Sequence, residues 1–477
     1  MVDAGGCQMV TDIVDKGSDP TSGSVILLHG LAANRKIMSY MAQAFAEQNL
    51  RVFVADLPGH GRTAGPFSFS RAEACTESFA RQLIAGGLID PARTVLAGHS
   101  MGGAIALRLA ARIPFAGVIA VSPAPMSTKH GIALYLLPFE NVPPGSAKTL
   151  VISGSWEPQG IRDTARDLIT GPAVAIGKYL VIPHATHVSL LFNPRAARAS
   201  QEWAGQVLGL SANMGAPSLL PLTGSLVGFA GLLLLAGPFI RETLGASSAS
   251  RERQRNVGPP TTHTGEARQI VRPLTEIVLA SVVAIAVLHF WKPSLVRLFD
   301  GGYFAGFLLI VGALVLTMHY KSTRVLWNTK TSTLLAAALA GLLLHFLVTA
   351  WLDATLTEAW LPWFRWARFP VLLVASLPFL TAEELLIGPR FATGELVRTL
   401  VALGLRFVAW LALLLGIFAL HSGPILLFLL APYFALFCIL QRAGMNIVRS
   451  QTRSPTAAAL FGAILLAGFC LVIFPVT

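Results

Sequence analysis

Downstream of Glu202 the chain becomes a series of long, nearly uncharged apolar runs, and no other feature restricts its fold as strongly. The runs fall at 217–240, 273–291, 301–320, 331–352, 369–388, 399–420, 424–440 and 454–477. A bilayer-spanning helix needs about 20 mostly apolar residues. Inside hydrocarbon a backbone can satisfy its polar groups only within a helix or a closed barrel. Runs of this length predict an all-α polytopic membrane domain of about eight helices. Trp291, Tyr320, Trp351, Trp360, Trp363 and Trp366 lie near run ends, as an interfacial aromatic belt would. The whole chain is 54% hydrophobic and 13% charged, against about 25% charged in an average soluble protein. The excess belongs to the second half, because the residues upstream carry interspersed charges like a soluble α/β protein. Two domains are therefore expected, 1–212 and 213–477, with a basic flexible loop at 241–272. The Ser, Arg, Gly, Pro and Thr content between Glu242 and Thr264 reads as linker.

Basic residues alternate between the loops joining these runs. The first loop carries Arg241, Arg251, Arg253, Arg255, Arg268 and Arg272; the third Lys321, Arg324 and Lys330. The fifth carries Arg390 and Arg398, and the seventh Arg442, Arg449 and Arg453. The even loops hold only Lys292, Arg297, Arg365 and Arg368. The positive-inside rule then places the odd loops in the cytoplasm and both termini, with the N-terminal domain, on the non-cytoplasmic side of the cell membrane. The opening "MVDAGGCQMVTDIVDKG" points the other way, since it lacks the apolar core of a secretory signal peptide. The net charge of +12 is accounted for by these loops. No helix-turn-helix, zinc or RNA-binding pattern accompanies it, so no nucleic acid partner is expected. Cys7, Cys75, Cys438 and Cys470 give no metal spacing and no disulfide framework. No metal and no cofactor is expected.

The first half alternates strands and helices. Buried strands are read at 24–30, 117–122, 149–154 and 178–183, with a further one in "RVFVADLPGHGRT" ending in Asp-Leu-Pro-Gly-His-Gly and another through Val95, Leu96 and Ala97. Helical periodicity falls in "NRKIMSYMAQAFAEQ" and near 71–85, 161–168 and 195–208. Such alternation implies a mostly parallel sheet covered on both faces, whose working residues sit at the carboxyl ends of the strands. In "RTVLAGHSMGGAIALRLAAR" a strand, a tight turn and a helix follow one another, with Ser100 in the turn between Gly98 and Gly102. A turn this sharp strains its central residue and leaves little more than a hydrogen at its flanks. It lifts one side chain above the sheet and aims helix N-terminal N–H groups at whatever that side chain attacks. A serine hydroxyl needs a base to take its proton, and the base needs an acid to fix its tautomer. Later strands end in "GSWEPQ", presenting Glu157, and "HATHVSLLFNP", presenting His184 and His187. Asp163 rivals Glu157 as the acid. His29, His60 and His99 read as loop-holding histidines and Asp56 as a loop organiser.

With "LLHG", "DLPGHG", "GHSMGG", "GSWEP" and "ATHVSLL", residues 20–210 resemble the α/β-hydrolase superfamily, near its lipase, esterase and serine aminopeptidase-like branches. The resemblance implies Ser100 as nucleophile, His187 as base and Glu157 as acid, with the N–H groups of Leu31 and Met101 forming the oxyanion hole. The chain departs from the family in two places. Glu157 stands where Asp is usual, and Thr186 replaces the Gly before the family's catalytic histidine. Between "AVSPAPM" and "KTLVISG" there is too little chain for a helical cap, so a shallow, open pocket is expected. The expected partners are a small-molecule or lipid-like acyl substrate and the lipid bilayer. A competing expectation is a transport or signalling membrane protein whose hydrolase-like domain senses a ligand. In the second half, "TAEELLIGPR", His421 and "RAGMN" faintly resemble CAAX-protease-like membrane proteins, whose paired glutamates and later histidines support hydrolysis. Here the glutamate–arginine spacing is longer and Arg442 stands where a histidine belongs. A buried structural pairing of Glu383 or Glu384 with arginine is the other reading.

Overall fold

In a computed structural model of the chain, the described residues are 2–4, 6–17, 23–131, 139, 147–170, 177–210, 215, 217–245, 266–291, 296–323, 329–388, 395–421, 424 and 426–477. The expected linker and most of the segment in which a cap was judged absent lie outside them. The chain divides into two compact units. The first comprises Met1–Ser225, Leu352–Leu361 and Pro475–Thr477, and the second Leu226–Trp351 and Pro362–Phe474.

In the first unit a hairpin of β1 (Val2–Ala4) and β2 (Cys7–Met9) precedes a seven-stranded sheet. The sheet contains β3 (Thr11–Val14), β4 (Ser24–Leu28), β5 (Arg51–Ala55), β6 (Thr94–His99), β7 (Gly117–Val121), β8 (Lys148–Gly154) and β9 (Gly177–Ile182). Its order is β3-β5-β4-β6-β7-β8-β9. Among the described residues of this sheet only the β3–β5 pair is antiparallel, so the mostly parallel sheet expected from the alternation is present. Side chains alternate across a strand. Val25, Leu27, Val52, Val54, Val95, Ala97, Ile119, Val121, Leu150 and Ile152 all face one side, where they pack with Met41, Phe45, Leu190 and Trp203. Those partners come from α1 (Ser39–Ala46), the turn 189–192 and α5 (Pro194–Leu208). The intervening Ile26, Leu28, Phe53, Leu96, Val118 and Val151 are equally buried, which is why these strands read as continuous apolar runs. α3 (Met101–Ala110) packs on that second face, with α2 (Phe69–Ala85) against it, and α4 (Gln159–Thr170) lies against β8 and β9.

One expectation from the sequence is corrected: Cys7 and Cys75 form a disulfide that ties β2 to α2. Their separation of 68 residues hides the pairing in the sequence; the hairpin brings the two Cα atoms to 5.6 Å. Closing a loop of this length is expected to stabilise the unit by about 2–4 kcal/mol. Cys7→Ser should lower the thermal midpoint of the purified protein, and a linked Cys7–Cys75 peptide should appear only in non-reduced digests. Equal midpoints for both proteins would remove the bond from the account of stability.

The second unit is a bundle of the long apolar helices. In chain order these are α6 (Leu220–Thr243), α7 (Glu266–Phe290), α8 (Gly301–Met318), α9 (Thr331–Thr355), α10 (Phe369–Leu386), α11 (Glu395–Ala419), α12 (Leu426–Thr452) and α13 (Pro455–Ile473). Among the described residues eight helices are long and apolar enough to cross a membrane, matching the eight runs in the sequence. α10 packs against both α8 and α13, α7 against α8 and α11, and α12 against α11 and α13. Leu234, Leu335, Val374, Phe407 and Leu415 turn outward and are exposed. Apolar faces of this extent fit a hydrocarbon surround.

Candidate active site

The sheet register sets the site. Leu28 pairs with Ala55 and Gly98, His99 with Val121, Val121 with Ile152, and Gly154 with Ile182. The strand ends are therefore staggered by only a few residues, and the residues that follow them lie along one edge. Ser100 follows β6 and directly precedes α3, with φ 52° and ψ −116°. A non-glycine residue at positive φ is strained and persists only where its surroundings dictate it. They do so here. A Cβ on Gly98 would collide with the backbone of Gly102, and one on Gly102 would lie 2.5 Å from the Leu28 carbonyl oxygen. Main-chain bonds finish the turn: Ser100 N–H donates to Val121 O at 3.0 Å, and Ser100 O accepts from Ala104 and Ala124. Met101 opens α3, so its N–H has no acceptor within the helix. The loop bearing Leu31 runs past the same point, since a Cβ built on Gly30 would stand 3.1 Å from Ser100 Cβ.

Glu157 and His187, which the sequence offers as acid and base, lie side by side. His187 Nδ1 lies 2.8 Å from Glu157 Oε1. Glu157 is buried and also accepts from Gly154 N–H at 2.7 Å. Burial pushes the Glu157 carboxyl upward, but the bonds from His187, Ser122 and Gly154 outweigh it and hold it below the usual carboxylate range. Ser122 was missed by the sequence reading. It follows β7 at φ 44°, donates its hydroxyl to Glu157 Oε1, and sits 2.7 Å from His187 Nδ1. A serine after a buried strand carries no spacing signal. Asp163, the rival acid, sits on α4 and pairs with Arg166 at 2.8 Å. His184 is exposed, and its N–H donates to Ser155 Oγ at 2.8 Å.

The other histidines hold loops. His99 Nε2 donates to the His187 carbonyl at 2.9 Å, with the two rings 4.7 Å apart. Burial, with the neighbouring His187, pushes His99 down to about 3, so it is neutral. His29 Nε2 accepts from Leu57 N–H at 2.9 Å, which leaves Nδ1–H to donate to Gly30 O at 2.7 Å. His60 Nδ1 lies 3.0 Å from Pro58 O. Asp56 organises its loop as expected, accepting from Arg35 N–H at 2.8 Å, from Arg62 N–H at 3.0 Å and from the Arg35 guanidinium at 2.5 Å.

The segment Leu352–Leu361, which belongs to this unit, adds a support that sequence reasoning did not find. Asn34 Nδ2 donates to Thr357 Oγ1 at 2.8 Å, and Glu358 N–H donates to Asn34 Oδ1 at 3.2 Å. The Glu358 carboxylate meets the buried Arg35 guanidinium at 2.6 Å. Burial, then the neighbouring Asp56, push the Glu358 carboxyl up to about 8. These bonds pin the loop that carries Leu31.

In the second unit Glu383 and Glu384 on α10 are buried in ion pairs rather than open to a substrate. Arg406 and Arg442 meet Glu383 at 2.5 Å and 2.8 Å. Arg442 meets Glu384 at 2.6 Å, and Arg449 pairs with Glu384 as well. This is the structural glutamate–arginine pairing, with partners on α11 and α12; Arg390 lies outside the described residues.

Comparison with known proteins bears on the first unit. Residues 25–224 match the model of the alpha/beta hydrolase family. The chain is 34% identical over 113 residues to a monoacylglycerol lipase of Mycolicibacterium smegmatis, covering 23% of this chain and 40% of that protein. It is 31% identical over 109 residues to a pimeloyl-(acyl-carrier protein) methyl ester esterase of Sodalis glossinidius, covering 22% of this chain and 39% of the relative. The matches thus span less than half the length of these relatives. Among solved structures, a thermophilic esterase from Thermogutta terrifontis aligns over 42% of this chain and 94% of its own, at 19% identity and a TM-score of 0.34. Residues 25–224 form an alpha/beta hydrolase domain, and the chain continues into a helical region of eight long apolar helices.

Proposed function

We propose that this protein is a membrane-anchored serine hydrolase that cleaves carboxylic ester or related acyl bonds. The observation that supports the reading most is the His187 Nδ1–Glu157 Oε1 contact at 2.8 Å, at the same carboxyl edge of the sheet as the strained turn that carries Ser100. In this reading Ser100 Oγ attacks the acyl carbonyl carbon and His187 takes its proton. His187 later returns a proton to the leaving group, and the acyl-serine ester is then hydrolysed by water that His187 activates. Glu157, held ionised, steadies the imidazolium and fixes the tautomer with Nδ1 protonated. Leu31 and Met101 N–H groups receive the developing oxyanion; losing one such donor typically costs about 10²–10³ in rate. An acyl ester substrate, small or lipid-like, suits the relatives named as a monoacylglycerol lipase and a methyl ester esterase. A fluorophosphonate probe tests the reading: labelling confined to Ser100 is expected, and an unlabelled, folded protein would favour a ligand-sensing module instead.

The eight apolar helices span the bilayer in this proposal, and the hydrolase domain lies on the non-cytoplasmic side. The basic odd loops support that side. The Cys7–Cys75 bond supports it independently, since disulfides persist in oxidising compartments. In intact cells a cysteine placed at Ser22 should react with an impermeant maleimide, and one at Ser248 should be protected. The opposite pattern would invert the topology and make the enzyme cytoplasmic.

A further inference from the structure

The start of α11, the end of α12 and the turn into α13 line a half-open cavity of about 290 Å³ in the second unit. It is lined by Glu395, Arg398, Asn446, Arg449, Ser450 and Arg453. Beneath it lies the buried network, in which Glu383 and Glu384 face Arg406, Arg442 and Arg449. Network and cavity together set five arginines against three glutamates, a surplus of two positive charges. Asn446, which lines the cavity, is held in place from both ends: its Oδ1 accepts from Arg442 Nε at 2.8 Å and its Nδ2 donates to Thr399 Oγ1 at 2.6 Å. Among the described residues Arg453 and Glu395 enter no ion pair, although both line the cavity. A carboxylate ligand brings one charge and two oxygens. A phosphomonoester brings more of both, a phosphodiester headgroup brings the same charge with two ester oxygens besides, and the arginine fork suits either. A volume at the low end for ligand pockets admits a headgroup-sized anion. Basic pockets between membrane helices on the side of the positive loops are where anionic headgroups bind.

We propose that this cavity binds a phosphate-type anion, carried by a lipid headgroup or by a soluble phosphomonoester. Arg398, Arg449 and Arg453 supply the charge, and Asn446 and Ser450 supply neutral polar groups. Glu395 sets an upper limit on affinity by opposing the same anion.

The test uses the full chain, purified in detergent and titrated with phosphatidylglycerol, phosphatidylcholine or glycerol 3-phosphate. Lipid retention is read by native mass spectrometry, and binding of each ligand by the shift in thermal midpoint. Phosphatidylglycerol should be retained in preference to phosphatidylcholine. Arg398→Gln/Arg453→Gln should weaken binding about thirty-fold, from two basic contacts of ordinary strength. Glu395→Gln, which removes the opposing charge and spares the network, should tighten it several-fold and keeps the test valid if the double variant fails to fold. A shift with glycerol 3-phosphate as well assigns the phosphate itself as ligand, and a shift with the lipid alone assigns the lipid. Equal retention of both lipids with no effect of glycerol 3-phosphate overturns the proposal. So does unchanged binding in both variants.

Discussion

Ser100→Ala should abolish hydrolysis of short p-nitrophenyl esters, with a loss of about 10⁶-fold in kcat where the serine is the nucleophile. The size of the effect follows from what the rest of the site can still do. The His187–Glu157 pair at 2.8 Å and the Leu31 and Met101 N–H groups would remain, but with no atom to carry the acyl group. The fold should survive the change. The contacts that define the turn are main-chain bonds, from Ser100 N–H to Val121 O and from Ala104 and Ala124 to Ser100 O, and alanine keeps all of them. Alanine also meets the positive φ with a side chain no larger than serine's. Thermal midpoint and elution volume should match the wild type while turnover disappears. Turnover retained in a clean Ser100→Ala preparation would remove Ser100 from the nucleophile's role.

The parts of this molecule that were legible in the sequence are those in which one residue's neighbours leave it no choice. Gly98 and Gly102 announce the turn at Ser100, because the backbone packing there has no room for a Cβ. The strands announced themselves because both faces of the sheet are covered, so Val25–Leu28 and Val95–Ala97 are apolar without a break. β3 escaped notice because it is a short edge strand paired only to β5, with Asp12 and Ile13 exposed. What the sequence hid depends on contacts between distant positions. The Cys7–Cys75 bond spans 68 residues, and Asn34 meets Thr357 across 323. Ser122 joins Glu157 and His187 only because the end of β7 pairs with Ile152 near the end of β8, a matter of register rather than of local pattern. The partners of Glu383 and Glu384 were hidden for the same reason, being chosen by how α10, α11 and α12 pack.

Glu157→Gln should cut kcat by about 10⁴-fold, the scale of replacing the buried acid of such a triad by its amide, while Asp163→Asn should leave it near the wild-type value. An amide at position 157 can offer an N–H where the carboxylate offers only acceptors, so it can turn the His187 ring to the tautomer unable to take the serine proton. It also removes the charge that steadies the imidazolium. The Glu157 carboxylate is buried and accepts from Ser122, His187 and Gly154, which hold it ionised at neutral pH. Its folded-state pKa lies below the unfolded one, so its contribution to stability is present above the unfolded value and is lost as pH falls through the folded value. The glutamine variant lacks that term, so its thermal midpoint should fall less between neutral and acid pH than the wild type's. Asp163 instead faces Arg166 at 2.8 Å on a partly exposed helix, where such pairs contribute little. Measuring kcat for both variants on one ester ranks the two carboxylates directly. A larger loss in Asp163→Asn would move the acid's role to α4 and leave Glu157 as a strand-end carboxylate that only orders its loop.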